Sequence, residues 1–445
     1  MKKIVGLFLV LVCSFIFAIA EAKPKNNGID NIIDEFGVDK NSISISIKTE
    51  DGKNVYSLNE KMLMTPASVQ KILTTPVIAE ALGDDYEFST ELYSRGDGDY
   101  LIKLGADPYL TSSDLRKLVS AIEKAPQKLY INDTIIDTKT WGEGWQWDDD
   151  LNILMPRFGA YNLDKNLIKL TIMPTQKGQF ATVINPSKYP LVFFNNIETS
   201  DKTDVKVVRD NAVSANTLVL TGTVSRPTTI YIPSNNLKQY FNVQIQRALE
   251  QKNIYFKEIF IPSTLSENDK LVAKVTHNIK PAFSDVLKLS DNRVSETLFK
   301  LAGGKHCNAP IGTDFAGIKM FNDYCVKHKL DNSRIRITDA SGVSKNNLIS
   351  ADFITEFLAV NKNNPIMENL ASPGQGTLTH RMLPIKDNLK AKTGTLSDVS
   401  SIAGYLTARS GKRFVFCIMS NDMKLSNSDK KMLEDFIIRE IFLKQ

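Results

Sequence analysis

The sequence predicts a mixed α/β (α+β) protein in which the two ends of the chain build one unit and a mainly-β insertion lies between them. Three observations carry this. Helical spacing and apolar alternation occur before about residue 84 and return after about residue 275. Short β-like runs between polar turns fill the stretch in between. At 445 residues the chain exceeds one compact domain, and two or three are expected. A hydrophobic fraction of 42% with 9% aromatics supplies cores for all of them.

The chain opens on what reads as a leader. Lys2-Lys3 form a basic start, Val5 to Ala20 is apolar, and Ala20-Glu21-Ala22 offers a small-residue cleavage site. A retained membrane anchor is the competing reading, but the run is short against the ~20 apolar residues that a spanning helix needs. Cys13 follows Val12 rather than a small residue, which argues against a lipoprotein site. Residues 1–22 are therefore expected to be removed, with the mature chain exported to a periplasmic or other extracytoplasmic space.

Removing them lowers the formal net charge of +5 by one unit. The bias is mild and interspersed, so nucleic acid is not implied, and a membrane or wall surface would attract the chain only loosely. Three cysteines remain, Cys307, Cys325 and Cys417, an odd number that defines no disulfide framework. Cys307 and Cys325 leave two readings open, a pair or separate thiols. His277, His306, His328 and His380 show no zinc spacing, and no G-x-S-x-G elbow occurs, so neither a metal cofactor nor a Ser-His-Asp hydrolase is expected. A hydrolase built on this chain needs another base, and lysine is available.

Along the chain, Asn31 to Phe36 reads as part of an amphipathic helix. Ile43, Ile45 and Ile47 alternate with polar residues as in a half-buried strand, and the Asp51-Gly52 turn returns Asn54 to Leu58. Thr65-Pro66 opens a helix from Ala67 to Leu82, ended by Gly83, with a kink expected at Pro76. The middle reads as strands at Leu101–Leu104, Leu129–Asp133, Leu167–Ile172, Lys206–Val208, Leu218–Val224 and Thr229–Ile232, with a helix near Gln239–Gln251. Phe283–Leu301 and Asp314–Lys329 return to helical spacing. Asn388–Thr395, Ser401–Arg409 and Arg413–Ser420 read as three sheet strands, and Lys430–Leu443 as a closing helix.

Three strings lie on these elements in order: Ser68-Val-Gln-Lys71 at a helix start, Ser290-Asp291-Asn292 in a helical stretch, and Lys392-Thr393-Gly394 on a strand. S-x-x-K alone is weak, since Ser428-Asp-Lys-Lys431 repeats it. The strict S-D-N and K-T-G strings each occur once. Together the three are the signature of β-lactamases and penicillin-binding proteins. Ser68 is the candidate nucleophile, at the positive end of a helix dipole, and Lys71 on the same face is the candidate base. A lysine ordinarily ionises near pH 10.4, so burial or the nearby Lys392 charge must lower it. Gly394 permits a substrate backbone to approach the strand, and Asp291 reads as structural.

Around the strings the chain resembles the class C low-molecular-mass penicillin-binding proteins, the D-alanyl-D-alanine carboxypeptidase/endopeptidases of the penicillin-binding protein 4 type. Gly105-Ala-Asp-Pro108, the stretch from Trp141 through Trp145 and Trp147 to Asp149, Asp339-Ala-Ser341-Gly342-Val-Ser344, and Gly374-Gln-Gly376-Thr377-Leu378 carry the resemblance. So does the wide gap between Lys71 and Ser290, which disfavours an ordinary class A β-lactamase. Ala340 and Val343 depart from the family's Gly and Leu, Ala106 is an addition, and Pro76 is unexpected.

The resemblance implies a penicillin-binding transpeptidase/β-lactamase-like domain, a central antiparallel sheet with flanking helices, formed by residues 23–84 and 275–445. Inserted domains would comprise 85–160 with 225–274, and 161–224. It implies serine-type hydrolysis of peptidoglycan stem peptides or cross-links through an acyl-serine, with β-lactam antibiotics as covalent inhibitors. Ser290 would relay a proton to the departing D-alanine nitrogen, and Asn292 would hold the substrate amide and position Lys71. The backbone N–H groups of Ser68 and Thr395 would form the oxyanion hole, and Lys392 and Thr393 would bind the terminal carboxylate. A β-lactamase or esterase with the same motifs, or a non-catalytic peptidoglycan-binding scaffold, are the alternatives.

Overall fold

The computed structural model describes residues 28–96, 98–123, 127–421 and 424–445. The expected leader, residues 1–22 with Cys13, lies outside them. The described chain starts with α1 (Ile29–Glu35), and β1 (Ile43–Thr49) and β2 (Asn54–Leu58) form a hairpin. A 3-10 turn, Ala67–Val69, runs into α2 (Gln70–Leu82), which ends at Gly83 with a φ of +86° that suits glycine. Pro76 lies inside this continuous helix.

The insertion then supplies β3 (Glu87–Arg95), β4 (Asp99–Lys103), α3 (Ser112–Ser120) and β5 (Lys128–Asn132). It continues with β6 (Leu167–Met173), β7 (Thr182–Ile184), β8 (Val192–Thr199), β9 (Asp204–Arg209), β10 (Thr217–Val224) and β11 (Thr228–Pro233). It ends with α4 (Leu237–Glu250), β12 (Glu258–Pro262) and β13 (Lys270–Asn278). Helices α5 (Lys280–Leu287), α6 (Asn292–His306), α7 (Asp314–Lys327) and α8 (Ala351–Val360) follow. Strands β14 (Leu389–Thr395), β15 (Ser400–Thr407) and β16 (Arg413–Ser420) and helix α9 (Asn427–Lys444) complete the chain.

The main sheet has the order β14-β15-β16-β1-β2 and is antiparallel throughout, with Ile45 of β1 opposite Ile418 of β16. Each face is covered, which gives the central sheet with flanking helices. Phe414, Phe416 and Ile418 pack with Leu433, Ile437 and Ile441 of α9 on one side. Val415, Cys417 and Met419 join the larger core on the other.

β1 is buried on both faces rather than half-buried. Its serines find partners inside the protein: Ser46 Oγ shares a 2.8 Å hydrogen bond with Thr355 Oγ1 of α8, and Ser44 Oγ donates to the Asn59 carbonyl. Polar alternation marks a solvent face only when no element covers it.

In the insertion, β12-β5-β4-β3-β13 form a second sheet, and β11-β6-β7 and β8-β10-β9 form two smaller ones. β3 pairs antiparallel with β13, so the insertion leaves and re-enters beside itself. Cys307, Cys325 and Cys417 are free thiols, which settles the pairing question against a bridge. No helix among the described residues is long and apolar enough to cross a membrane.

The segment leading to β14 is anchored to α9 by an ion cluster. Arg381 donates at 2.8 Å to Glu434, a fully buried carboxylate, and at 2.6 Å to Asp435. Arg381→Ala removes the guanidinium from the buried Glu434 carboxylate, which keeps its hydrogen bond from the Ser400 hydroxyl. The expected loss is roughly 3–5 kcal/mol of unfolding free energy, read from the denaturant midpoint; a change within experimental error would contradict it.

Candidate active site

The site begins where Pro66 and Ala67 turn the chain into α2. Ala67 has a left-handed φ of +48°, unusual for a residue with a Cβ, and it is fully buried. The strain is held from two sides. A Cβ on Gly342 would lie 1.9 Å from the Ala67 carbonyl oxygen, so only glycine allows that approach. On the other side Ser401 Oγ donates to the Pro66 carbonyl at 2.5 Å. Ser68 is thereby presented half-buried, one turn before Lys71 on the same side.

Lys71 is fully buried, and its ammonium makes three hydrogen bonds: to Ser68 Oγ at 3.1 Å, Asn292 Oδ1 at 2.6 Å and the Ser341 carbonyl at 2.6 Å. The orientation of the Asn292 amide is fixed because its Nδ2 donates to the Leu154 carbonyl at 2.9 Å. Burial lowers the Lys71 pKa to about 8, against the raising influence of Asp339, Glu296 and Asp291. Two of its three partners, Asn292 Oδ1 and the Ser341 carbonyl, can only accept. A neutral lysine therefore spends its two N–H bonds on them and turns its lone pair toward Ser68 Oγ.

Ser290-Asp291-Asn292 does not lie within one helix as expected. It occupies the break between α5 and α6, with Ser290 at a φ of +68° and Asp291 as N-cap, its carboxylate accepting from Val294 N at 2.9 Å. Asp291 is thus structural, as its residue type suggested, since aspartate competes for backbone N–H groups at a helix start. Lys392, also fully buried, donates to Ser290 Oγ at 2.9 Å and to the Thr393 carbonyl at 2.8 Å. Burial and the neighbouring Lys71 charge hold its pKa well below the usual lysine value.

Lys392, Thr393 and Gly394 lie on β14, an outer strand of the main sheet, and end at the exposed Thr395. Gly394 has a reason beyond substrate approach. A Cβ there would fall 2.9 Å from Ser68 N and 2.8 Å from the Pro66 carbonyl, so the strand packs directly against the loop that carries the serine. Direct hydrogen bonds join Ser68, Lys71 and Asn292 as one group and Ser290 with Lys392 as a second, and the Lys71 charge bears on Lys392. Ser428 of the second S-x-x-K is an exposed residue in the first turn of α9.

Three supports were not singled out from the sequence as site residues. Leu154 orients Asn292 through its backbone. Trp145 Nε1 donates to Asp339 Oδ2 at 2.8 Å, tying the tryptophan-rich stretch to the Asp339–Ser344 loop. Glu296, fully buried, accepts from the Ala340 and Ser341 N–H groups. Its only sequence signal is its position one helical turn after Asn292. Among the departures, Ala106 takes a φ of +50° and Val343 packs with Trp145, Met155 and Phe158.

Comparison with known proteins agrees with this geometry. Residues 26–439 match the D-Ala-D-Ala carboxypeptidase 3 (S13) family. The chain belongs to that family. It is 24% identical to the D-alanyl-D-alanine carboxypeptidase DacB of Haemophilus influenzae, over 97% of this chain and 96% of that one. It is also 24% identical to a D-alanyl-D-alanine carboxypeptidase of an Actinomadura species, over 85% of this chain and 77% of the relative. The fold superposes on the crystal structure of penicillin-binding protein 4 from Haemophilus influenzae with a TM-score of 0.81 and 21% identity, covering 94% of this chain and 100% of that one.

The packing around Ala67 makes a contrast between two glycines testable. Gly342→Ala, at a φ of +81°, should combine backbone strain with overpacking, a loss of roughly 2–5 kcal/mol. Gly52→Ala, also at positive φ but with open space around it, should cost only about 1–2 kcal/mol of backbone strain. Equal losses in chemical denaturation would contradict the packing argument.

Proposed function

We propose that the chain is a serine-type D-alanyl-D-alanine carboxypeptidase acting on peptidoglycan stem peptides through an acyl-serine, and that β-lactams acylate the same serine. The observation that carries this is the buried Lys71 ammonium held between Ser68 Oγ and two fixed acceptors. Family membership and the names of the relatives supply the substrate class. We place the mature chain outside the cytoplasm on the strength of residues 1–22.

In the proposed reaction, neutral Lys71 takes the Ser68 proton as Oγ attacks the carbonyl carbon of the penultimate D-alanine. The oxyanion is received by the Ser68 and Thr395 N–H groups. The proton taken up by Lys71 returns through Ser290, which is hydrogen-bonded to Lys392, to the departing nitrogen, and the C–N bond breaks to leave an acyl-serine. Lys392 and Thr393 hold the free carboxylate of the leaving D-alanine. Water then hydrolyses the ester and restores Ser68. For the insertion we propose units of 85–160 with 225–274 and 161–224; because β11 pairs with β6, the smaller is best drawn on to Pro233.

Ser68→Ala should abolish covalent labelling by a fluorescent penicillin, and Ser428→Ala should leave it intact; surviving label in the first variant would sink the nucleophile assignment. Mass analysis after incubation with purified muropeptides should show loss of one alanine. Conversion of cross-linked dimers to monomers would make the chain an endopeptidase instead, and no change in either would favour a binding scaffold.

The base needs the unprotonated amine. Acylation should therefore accelerate as pH rises through Lys71's pKa of about 8 and slow below it. A rate flat across that range would rule out Lys71 as the titrating base.

A further inference from the structure

Helix α9 is apolar on two sides. Leu433, Ile437 and Ile441 face the main sheet, as a helix that covers a sheet requires. A second stripe, Phe436, Arg439, Phe442 and Leu443 at spacings of three and four, runs along the outside of its later half. With the turn Met382–Ile385 this stripe encloses a groove of about 430 Å³. Six of its lining residues are apolar: Met382, Pro384, Ile385, Phe436, Phe442 and Leu443.

The wall opposite the helix is held open. Met382 takes a left-handed φ of +54°, unusual for a residue with a Cβ, and Ile385 N closes the turn on the Met382 carbonyl at 3.0 Å. Arg381, one residue earlier, pins the turn to α9 through Glu434, Asp435 and the Lys431 carbonyl. The tip of the turn is thus kept from folding inward, and Leu383 stays 52% exposed. Leu443, on the helix side of the groove, is 48% exposed. A preformed apolar groove with leucines exposed on both walls marks a binding surface.

The charges of the lining define the occupant. Asp435 is engaged by Arg381 at 2.6 Å, which leaves its carboxylate little call on a ligand. Arg439 is exposed and has no ion-pair partner among the described residues. An apolar groove with one unneutralised cation fits an apolar chain that carries a negative head. The mature chain's mild net charge makes purely electrostatic adhesion weak, so the groove itself must carry the contact.

We propose that this groove is a lipid-binding site: an acyl chain of an anionic phospholipid lies against Phe436 and Phe442, Leu383 and Leu443 enter the hydrocarbon boundary, and Arg439 meets the phosphate. Contact of this kind is peripheral and reversible. It makes no use of the acyl-serine chemistry. Its consequence for the enzyme is orientation. Asn427, the first residue of α9, donates to the Leu396 carbonyl at 3.0 Å, beside Thr395 of the site. From there to Leu443 the helix runs roughly 24 Å, so a chain held by its groove keeps the catalytic end off the lipid.

The test is flotation of the processed chain, residues 23–445, with phosphatidylglycerol vesicles and with phosphatidylcholine vesicles. The parent should bind the anionic vesicles several-fold more tightly. Leu383→Asp combined with Leu443→Asp should weaken that binding roughly tenfold or more, and Arg439→Gln should weaken it about fivefold. Penicillin labelling of these variants at the parent's rate shows that they are folded. Leu383→Trp gives a readout that needs no loss of binding: its added indole emission should move to the blue with anionic vesicles and be quenched by brominated chains.

A parent that binds neither vesicle, or binds both equally, overturns the proposal. So does binding that survives the two aspartates, or a Leu383→Trp emission that vesicles leave unchanged. A dimer in lipid-free solution that the aspartates dissociate also overturns it, since the groove would then belong to a second copy of the chain.

Discussion

Everything at the site depends on one buried amine. Among the described residues Lys71 has no carboxylate partner within hydrogen-bonding distance; its three bonds go to a hydroxyl, an amide oxygen and a peptide carbonyl. An ammonium taken out of water without a paired anion is costly, and the cost appears as a pKa lowered to about 8. That cost is what makes a lysine usable as a base. Acids are kept nearby but one residue removed: Asp339 and Glu296 hold the loop whose carbonyl meets Lys71.

The rest of the architecture serves to keep that amine dry and its partners fixed. The two chain ends meet as β1 against β16, and β14 brings Lys392 and Gly394 against the loop before α2. Both serines of the site follow strain. Ser68 comes after a left-handed Ala67, and Ser290 is itself left-handed. Each such residue costs of order 1–3 kcal/mol and persists only where its surroundings over-determine it. Gly342, Gly394 and Ser401 do this for the first, and the Asp291 cap with the bond from Asp291 N to the Asp285 carbonyl does it for the second. The insertion is not a bystander, since Leu154 and Trp145 reach in to fix Asn292 and Asp339.

Much of this was legible in the chain. Arg413–Ser420 and Asn54–Leu58 are strands with the boundaries that alternation and turn residues predict, and the helix after Pro66 ends at Gly83 as its glycine suggests. Strands such as Glu87–Arg95 and Lys270–Asn278 were not legible, because each finds its register in the other across the whole insertion. The break at Ser290 is hidden from the sequence for a related reason. Helical spacing continues across it, and only the capping geometry of Asp291 shows that one helix ends and another begins.

Residue type alone carries the proposed chemistry: S-x-x-K, S-D-N and K-T-G are local strings whose side chains offer a nucleophile, a base and an anion-binding strand. The sequence also determined the family, because the wide spacing between those strings survives any folding. Folding alone shows that the Lys71 amine reaches Ser68 Oγ, that Asn292 faces it with its oxygen, and that Glu296 backs the loop whose carbonyl meets it. Burial, amide orientation and the sum of nearby charges are properties of groups far apart in the chain, so no local pattern carries them.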